Sequence, residues 1–258
     1  MIFLKPTHAQ LKKWAGLERA KNRREENLFL AEGAKIVTEA LQSAWKARAL
    51  LIREDRKGHF QETQAAFPGD LEVYALTDRE WARLSQDRSS EGVIAVLSVP
   101  PMPAVQDLAS PGDGRLLLLH EVNDPNNLGA LLRTADWFGF GTVLLSRNSV
   151  DFTHPKTVRT SMGSLFRLRV IANLDFAEIL PGIRAFHRLI GSNVRSGAAP
   201  RKCPGPTALM LGSESHGLPE ELSCMAHEVW RIPGSSRAES LSLPQAAAIL
   251  MYACTATT

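Results

Sequence analysis

Cysteine is scarce: the 258 residues include only Cys203, Cys224 and Cys254. An odd count without metal-ligand spacing excludes a disulfide framework and a cysteine-held metal, and reads as reduced thiols in the cytoplasm. His154 and His216 lack an H-E-x-x-H context, so they read as surface histidines, and no metal site is expected. No lysine closes a glycine-rich phosphate loop, no G-x-G-x-x-G follows a strand, and no G-x-S-x-G marks a nucleophile elbow. No apolar run approaches the roughly 20 residues of a membrane span. The apolar patch at Met1–Pro6 is too short for the core of a signal peptide. Repeats and low-complexity tracts are absent. What is present is average for a globular protein able to bury a full core: 44% apolar and 22% charged residues.

The net charge of +3 is mild, but its distribution is uneven. Met1–Leu30 carries seven Lys or Arg against three Glu, and Arg147–Arg169 carries five basic residues against Asp151 alone. Clusters of this kind suit a polyanion, and equally suit a solvated face on a slightly basic protein.

Hydrophobic periodicity divides the chain in two. Ala9–Glu26 reads as a surface helix with Leu11, Trp14 and Leu17 at helical spacing. Leu28–Ala31, Ala47–Ile52, Leu71–Leu76 and Gly92–Val99 read as strands. Ala34–Leu41 reads as a helix, as does a segment that Asp78 caps and that runs to about Leu84. Arg53–Gly69 is polar and reads in part as loop. Residues 1–100 are thus expected to form a small α/β domain, and the proline- and glycine-rich 101–114 a linker.

Residues 115–258 alternate strand and helix, which predicts a mostly parallel sheet covered on both faces. Leu116–Leu119 reads as a central buried strand, followed by strands at Thr142–Leu145, Arg188–Gly191, Ala208–Leu211 and Val229–Ile232. Leu128–Phe138 reads as a helix, and Leu243 or Pro244 starts a last helix reaching about Cys254.

Three polar segments here each follow a strand and lead toward a helix, where α/β sheets bind ligands. The first, His120–Arg133, places Asn127 and Gly129 at a helix start, where free N–H groups favour an anion, with Asp124 able to cap it. The second, Gly212–Leu218, holds one carboxylate, Glu214, between two glycines; alone it favours a tight turn that binds nothing over a binding loop. The third, Arg231–Pro244, is rich in Gly and Ser.

Together these segments resemble the three motifs of the SpoU (TrmH-like) RNA ribose 2′-O-methyltransferases of the SPOUT superfamily. The first resembles N-x-G-x-x-x-R-x-A through Asn127, Gly129, Arg133 and Ala135. The second is similar to G-x-E-x-x-G-L through Gly212, Glu214, Gly217 and Leu218, and the third to I-P…S-L-N through Ile232, Pro233, Ser240 and Leu241. Ser161 and Gly163 match an intervening S-x-G segment. Phe29–Gly33 and Gly92–Val96 are similar to the ends of a small RNA-binding domain, related to ribosomal proteins, that many members carry first.

The resemblance implies an α/β fold: a small N-terminal α/β RNA-binding domain and a C-terminal SPOUT domain with a mostly parallel sheet and a deep trefoil knot. It implies S-adenosylmethionine held largely by backbone groups at Gly212, Ile232 and Leu241. It also implies an RNA substrate, ribosomal rather than transfer RNA, a homodimer through the C-terminal domain, no membrane attachment and a cytoplasmic location. The catalytic side chains it implies are Arg133, Asn127, Glu214, Ser240 and Ser242. The guanidinium stays protonated, so Arg133 suits gripping a phosphate and stabilising an alkoxide better than acting as a base. Glu214 suits hydrogen bonds to Arg133 or to loop backbone. Where the family has S-L-N, this chain has Ser240-Leu241-Ser242, with Pro244 beyond. A hydroxyl has fewer hydrogens to give than an amide, so the alternative is a catalytically weak or inactive RNA-binding protein of the same fold.

Overall fold

The computed structural model describes residues 2–58, 71–87, 90–101, 114–235 and 239–256. The expected linker falls mostly outside the described residues, as does most of the polar stretch before Gly69. The chain divides into two compact units, Met1–Pro101 with Thr153–Phe166, and Met102–Phe152 with Arg167–Thr258.

The first unit is a mixed five-stranded sheet in the order β1-β4-β3-β5-β2, with β1 Phe3–Leu4, β2 Leu28–Glu32, β3 Ala47–Arg53, β4 Val73–Leu76 and β5 Val93–Ser98. β5 runs antiparallel to both β2 and β3, with Glu32 opposite Ile94. The expected helix over Ala9–Glu26 is two helices, α1 (His8–Gly16) and α2 (Ala20–Glu26). The ladder breaks because Leu17 turns into the core and the Asn22 amide donates to the Gly16 carbonyl at 2.8 Å. α1 opens with a capping box between Thr7 and Gln10, which satisfies otherwise orphaned N–H groups. α3 (Ala34–Leu41) lies where its apolar stripe predicts. The short α4 (Asp78–Trp81) is capped by Thr77 with Glu80, one residue before the expected Asp78 and stopping short of Leu84. A β-region backbone at Thr77 lets its hydroxyl reach the Glu80 N–H, the geometry an N-cap requires.

The second unit is a six-stranded sheet, parallel throughout, in the order β11-β9-β10-β6-β7-β8. Its strands are β6 Arg115–Leu119, β7 Thr142–Ser146, β8 Arg169–Leu174, β9 Arg188–Ser192, β10 Thr207–Leu211 and β11 Glu228–Trp230. Leu116 to Leu119 are fully buried in the middle of the sheet, each contributing about 1.5–3 kcal/mol relative to exposure. Helices α5 (Pro125–Trp137), α7 (Phe176–Phe186), α8 (Glu220–Cys224) and α9 (Leu243–Thr255) follow the strands. β8 and α7 carry weak local signals: Pro181 sits inside the helix, and only Ile171 and Leu174 of the strand are buried. Between β7 and β8, α6 (Pro155–Thr160) groups with the first unit. No helix among the described residues is long and apolar enough to cross a membrane.

Two features of this sheet shape its carboxyl edge. β6 and β10 lie side by side, yet the chain leaves β6 toward β7 and leaves β10 toward β11, on opposite sides. Such a divergence opens a crevice beyond the strand ends. The chain also crosses over β11: Asn193 donates its N–H to the Trp230 carbonyl on one side, while Ala198 exchanges bonds with Val229 and Arg231 on the other.

Candidate active site

The crevice is built from the loops that follow β6 and β10. β6 and β10 stay paired to their last residues, with the His120 N–H on the Leu211 carbonyl at 2.9 Å. Immediately beyond, Glu121 adopts a left-handed backbone (φ +51°), and its N–H is taken by the Ser146 hydroxyl at 2.8 Å. The chain then enters α5 through Asp124, whose carboxylate accepts from the N–H groups of Asn126 (2.6 Å) and Asn127 (3.2 Å). Pro125 follows in the first turn, where a missing N–H costs nothing. The anion expected at this helix start is therefore internal. Asp124 occupies the N–H groups of Asn126 and Asn127 that an external anion would have used.

Gly212–Gly217 folds into a hairpin closed by reciprocal bonds between Ser213 and Gly217, at 3.1 and 3.0 Å. Gly212 is required by space rather than by backbone angle. A Cβ there would lie 1.9 Å from the Gly217 carbonyl carbon and 2.1 Å from the Leu218 nitrogen. Gly217 is required by its φ of +69°. The hairpin projects Glu214 toward the first loop, where its carboxylate accepts from the Asn127 amide (3.0 Å), the Asn123 N–H (3.3 Å) and the Asp124 N–H (3.4 Å). Glu214 thus clasps two loops 87 residues apart in sequence. Of the two partners expected for it, the loop backbone is the one it has.

Arg133 stands on α5, exposed, with no hydrogen-bond or ion-pair partner among the described residues. An exposed guanidinium left unpaired is available to an anionic ligand. The third segment is described up to Ser235 and again from Glu239. In it Ile232 is half-buried, Ser240 and Ser242 are exposed, and Leu241 is 45% exposed. Ser242 precedes α9 with an extended backbone, and its carbonyl receives the Ala246 N–H at 3.0 Å. Its hydroxyl makes no capping bond.

The S-x-G segment takes up a sharp turn in the first unit. Met162 and Gly163 both have positive φ, and a Cβ at Gly163 would lie 2.7 Å from Cγ of Glu39 on α3. His154 caps α6 through Nδ1, which accepts the Lys156 N–H at 3.2 Å, and His216 is exposed on the Gly212 hairpin.

His120 and Asn123 escape a motif-based reading. The His120 ring packs 5.9 Å from Phe176, and its buried Nδ1 has no hydrogen-bond partner among the described residues. Burial holds its pKa below the ordinary 6.5, opposed by Glu121. Only its place directly after a four-leucine run hints at the site.

The chain is similar to known proteins in both sequence and fold. Residues 114–252 match the model of the SpoU rRNA methylase family, and residues 8–95 match the MRM3-like substrate binding domain. The chain is 29% identical over 250 residues to the 23S rRNA (guanosine(2553)-2′-O)-methyltransferase RlmP of Bacillus subtilis, covering 94% of each chain. It superposes on a putative TrmH-family RNA methyltransferase of Porphyromonas gingivalis with a TM-score of 0.83 and 31% identity, over 96% of this chain and 97% of that one. An AdoMet-bound rRNA methyltransferase of Sinorhizobium meliloti gives 0.82 and 27%, over 97% and 96%.

Proposed function

The chain belongs to the SpoU rRNA methylase family, and we propose that it transfers a methyl group from S-adenosylmethionine to a ribose 2′-hydroxyl of ribosomal RNA. The observation that carries the site assignment is the Glu214 clasp. It draws the loops after the two central strands together where their connections diverge. The residues present fit S-adenosylmethionine. The Gly212 hairpin, half-buried Ile232 and exposed Leu241 offer backbone polar groups and aliphatic surface with little charge, as an adenine ring and an uncharged thioether product require. Gly212, Ile232 and Leu241 would hold it; bound, it supplies an electrophilic methyl on a sulfonium.

The rest is the work of this chain's side chains. Arg133 pairs with a phosphate beside the target ribose and stabilises charge developing on the attacking oxygen, keeping its own proton, while the hydroxyl proton is released to solvent as the new O–C bond forms. Asn127, with its amide committed to Glu214, fixes the start of the helix that carries Arg133. Ser240 and Ser242, exposed and outside any capping bond, face substrate as hydroxyl donors or acceptors.

Three further readings rest on the same proposal. The crossing of Asn193–Ala198 over β11 supports a trefoil knot in the last segments. Trp137 (83% exposed), Tyr252 (61%) and Ile249 (42%), on two helices that pack together, support a homodimer through this unit. Residues 1–100 serve as the RNA-binding domain, 101–114 as linker and 115–258 as the methyltransferase domain, in the cytoplasm.

The test is transfer of tritium from methyl-labelled S-adenosylmethionine to an unmodified large-subunit rRNA transcript. Counts in ribose-methylated nucleotides support the reading. Cofactor binding without counts in RNA would instead favour an RNA-binding protein with little catalysis.

A further inference from the structure

We propose that a cavity in the first unit receives one unpaired, amino-bearing nucleobase of the RNA, in addition to the nucleotide that is methylated. The cavity has a volume of about 220 Å³. Pockets for drug-sized molecules run to roughly 300–1,000 Å³, so this one suits a single heterocyclic ring system rather than a whole nucleotide.

Part of its wall is aliphatic, formed by Ala15 of α1, Leu30 of β2 and Ile94 of β5, and Glu18, Glu32, Ser85 and Gln86 add polar groups. Glu18 is exposed, whereas Glu32 is half-buried and lies among the aliphatic residues. Glu32 lies on the same sheet face as Leu30 and directly opposite Ile94. Its carboxylate is fixed in place. Oε1 accepts from the hydroxyls of Ser85 (2.5 Å) and Ser90 (2.8 Å), and Oε2 accepts from the Gln86 N–H at 3.0 Å. Each carboxylate oxygen accepts two hydrogens, so Oε2 keeps one acceptor direction. A preorganised acceptor in an apolar slot selects a ring bearing an N–H₂ group. It disfavours uracil, whose single N–H is flanked by two carbonyl oxygens that the carboxylate repels.

Charge around the cavity points to a polyanion as the carrier of that ring. Arg83 lines it, is exposed, and has no partner among the described residues. Arg159 lines it with its side chain 42% exposed and, among the described residues, a 3.8 Å ion pair to Asp87. Exposed Arg19 and Lys12 lie on and beside the same helical segment as Ala15. An aliphatic slot with a fixed acceptor and arginines along it is the arrangement by which proteins read bases splayed from single-stranded RNA. The inference rests on the RNA-methylating reading for its biological setting, and its test does not depend on methyl transfer.

The experiment measures fluorescence anisotropy of the full chain with fluorescein-labelled heptanucleotides, seven uridines against the same chain with adenosine, cytidine or guanosine at the centre. The expected result is about tenfold tighter binding of at least one amino-bearing heptamer, as one specific hydrogen bond contributes about 1.4 kcal/mol. Ala15→Phe, which fills the slot, abolishes the preference and leaves the weak uridine binding. Arg83→Glu, an exposed change that does not challenge folding, weakens every heptamer. Equal affinity of the wild type for all four heptamers, a preference that survives Ala15→Phe, or Arg83→Glu without effect would overturn the proposal. If the rRNA transcript is never methylated while the heptamer preference holds, the catalytic reading fails and the cavity assignment stands.

Discussion

Gly212→Ala is the most demanding perturbation of the site. The added methyl would lie 1.9 Å from the Gly217 carbonyl carbon and 2.0 Å from its oxygen. Non-bonded carbons settle at about 3.5–4.0 Å, so the opposing backbone must withdraw by about 1.5 Å. That distance breaks both Ser213–Gly217 bonds, which hold at 3.0 and 3.1 Å, each contributing about 1 kcal/mol. The withdrawal also carries Glu214 away from Asn123, Asp124 and Asn127; these bonds are exposed and long, and their loss adds about 1 kcal/mol. The sum, about 3 kcal/mol, corresponds to a fall in Tm of about 6–12 °C for a chain of this size. Gly182→Ala is the matching control. Its Cβ meets nothing within 4 Å and the residue lies inside α7, so helix propensity makes the change stabilising by about 0.5–1 kcal/mol. Thermal unfolding followed by circular dichroism reads both, and calorimetry reads S-adenosylmethionine affinity, which Gly212→Ala should abolish. A Gly212→Ala protein with wild-type Tm and cofactor affinity would refute the packing argument at its base.

Arg133→Ala should lower kcat for methyl transfer about 10²–10³-fold while cofactor affinity stays at the wild-type value. Arg133→Lys should restore only part of the rate, because an ammonium lacks the planar fork, and a lysine enzyme at full rate would discard the proposed role. Cys203 and Cys254 are buried, and burial, with the neighbouring Cys203 thiol adding to it, pushes the Cys254 thiol up to about 12. A native thiol titration with Ellman's reagent at pH 8 should therefore count one fast group, Cys224, and three after denaturation. His120 has a folded-state pKa below its ordinary 6.5, so the unfolded chain takes up the proton first on acidification. Stability from this group is full above about pH 6.5 and is lost as pH falls toward the lower folded value. Urea titrations at pH 7.5, 6.5 and 5.5 should show this loss, and His120→Asn should remove that component; an unchanged pH slope in the variant would count against it.

Much of the site was legible in order along the chain. The residue spacing about Asn127 and Arg133, the Gly212–Leu218 loop and the Ser240–Ser242 segment carry the family resemblance, and the matched model spans all three. The helix break after Gly16 was not legible, because it depends on Asn22 reaching back to the Gly16 carbonyl while Leu17 turns into the core. Nor was α7, where Pro181 argues against a helix that burial of Phe176, Ile179, Leu180 and Ile183 sustains. Packing overrides local propensity at such places.

By itself the sequence determined five of the six strands of the parallel sheet, all but β8, since runs such as Leu116–Leu119 are too apolar to lie anywhere but between covered faces. It also determined which loops are polar and which glycines punctuate them. Only the tertiary structure decided that β10 lies against β6, that Glu214 clasps Asn127 and leaves Arg133 unpaired, and that Asp124 takes the N–H groups an outside anion would have met. The reason is physical. Periodicity records which face of an element is buried, whereas the choice of neighbour is made by hydrogen bonds and contacts between residues far apart in the chain, which leave no repeating mark on it.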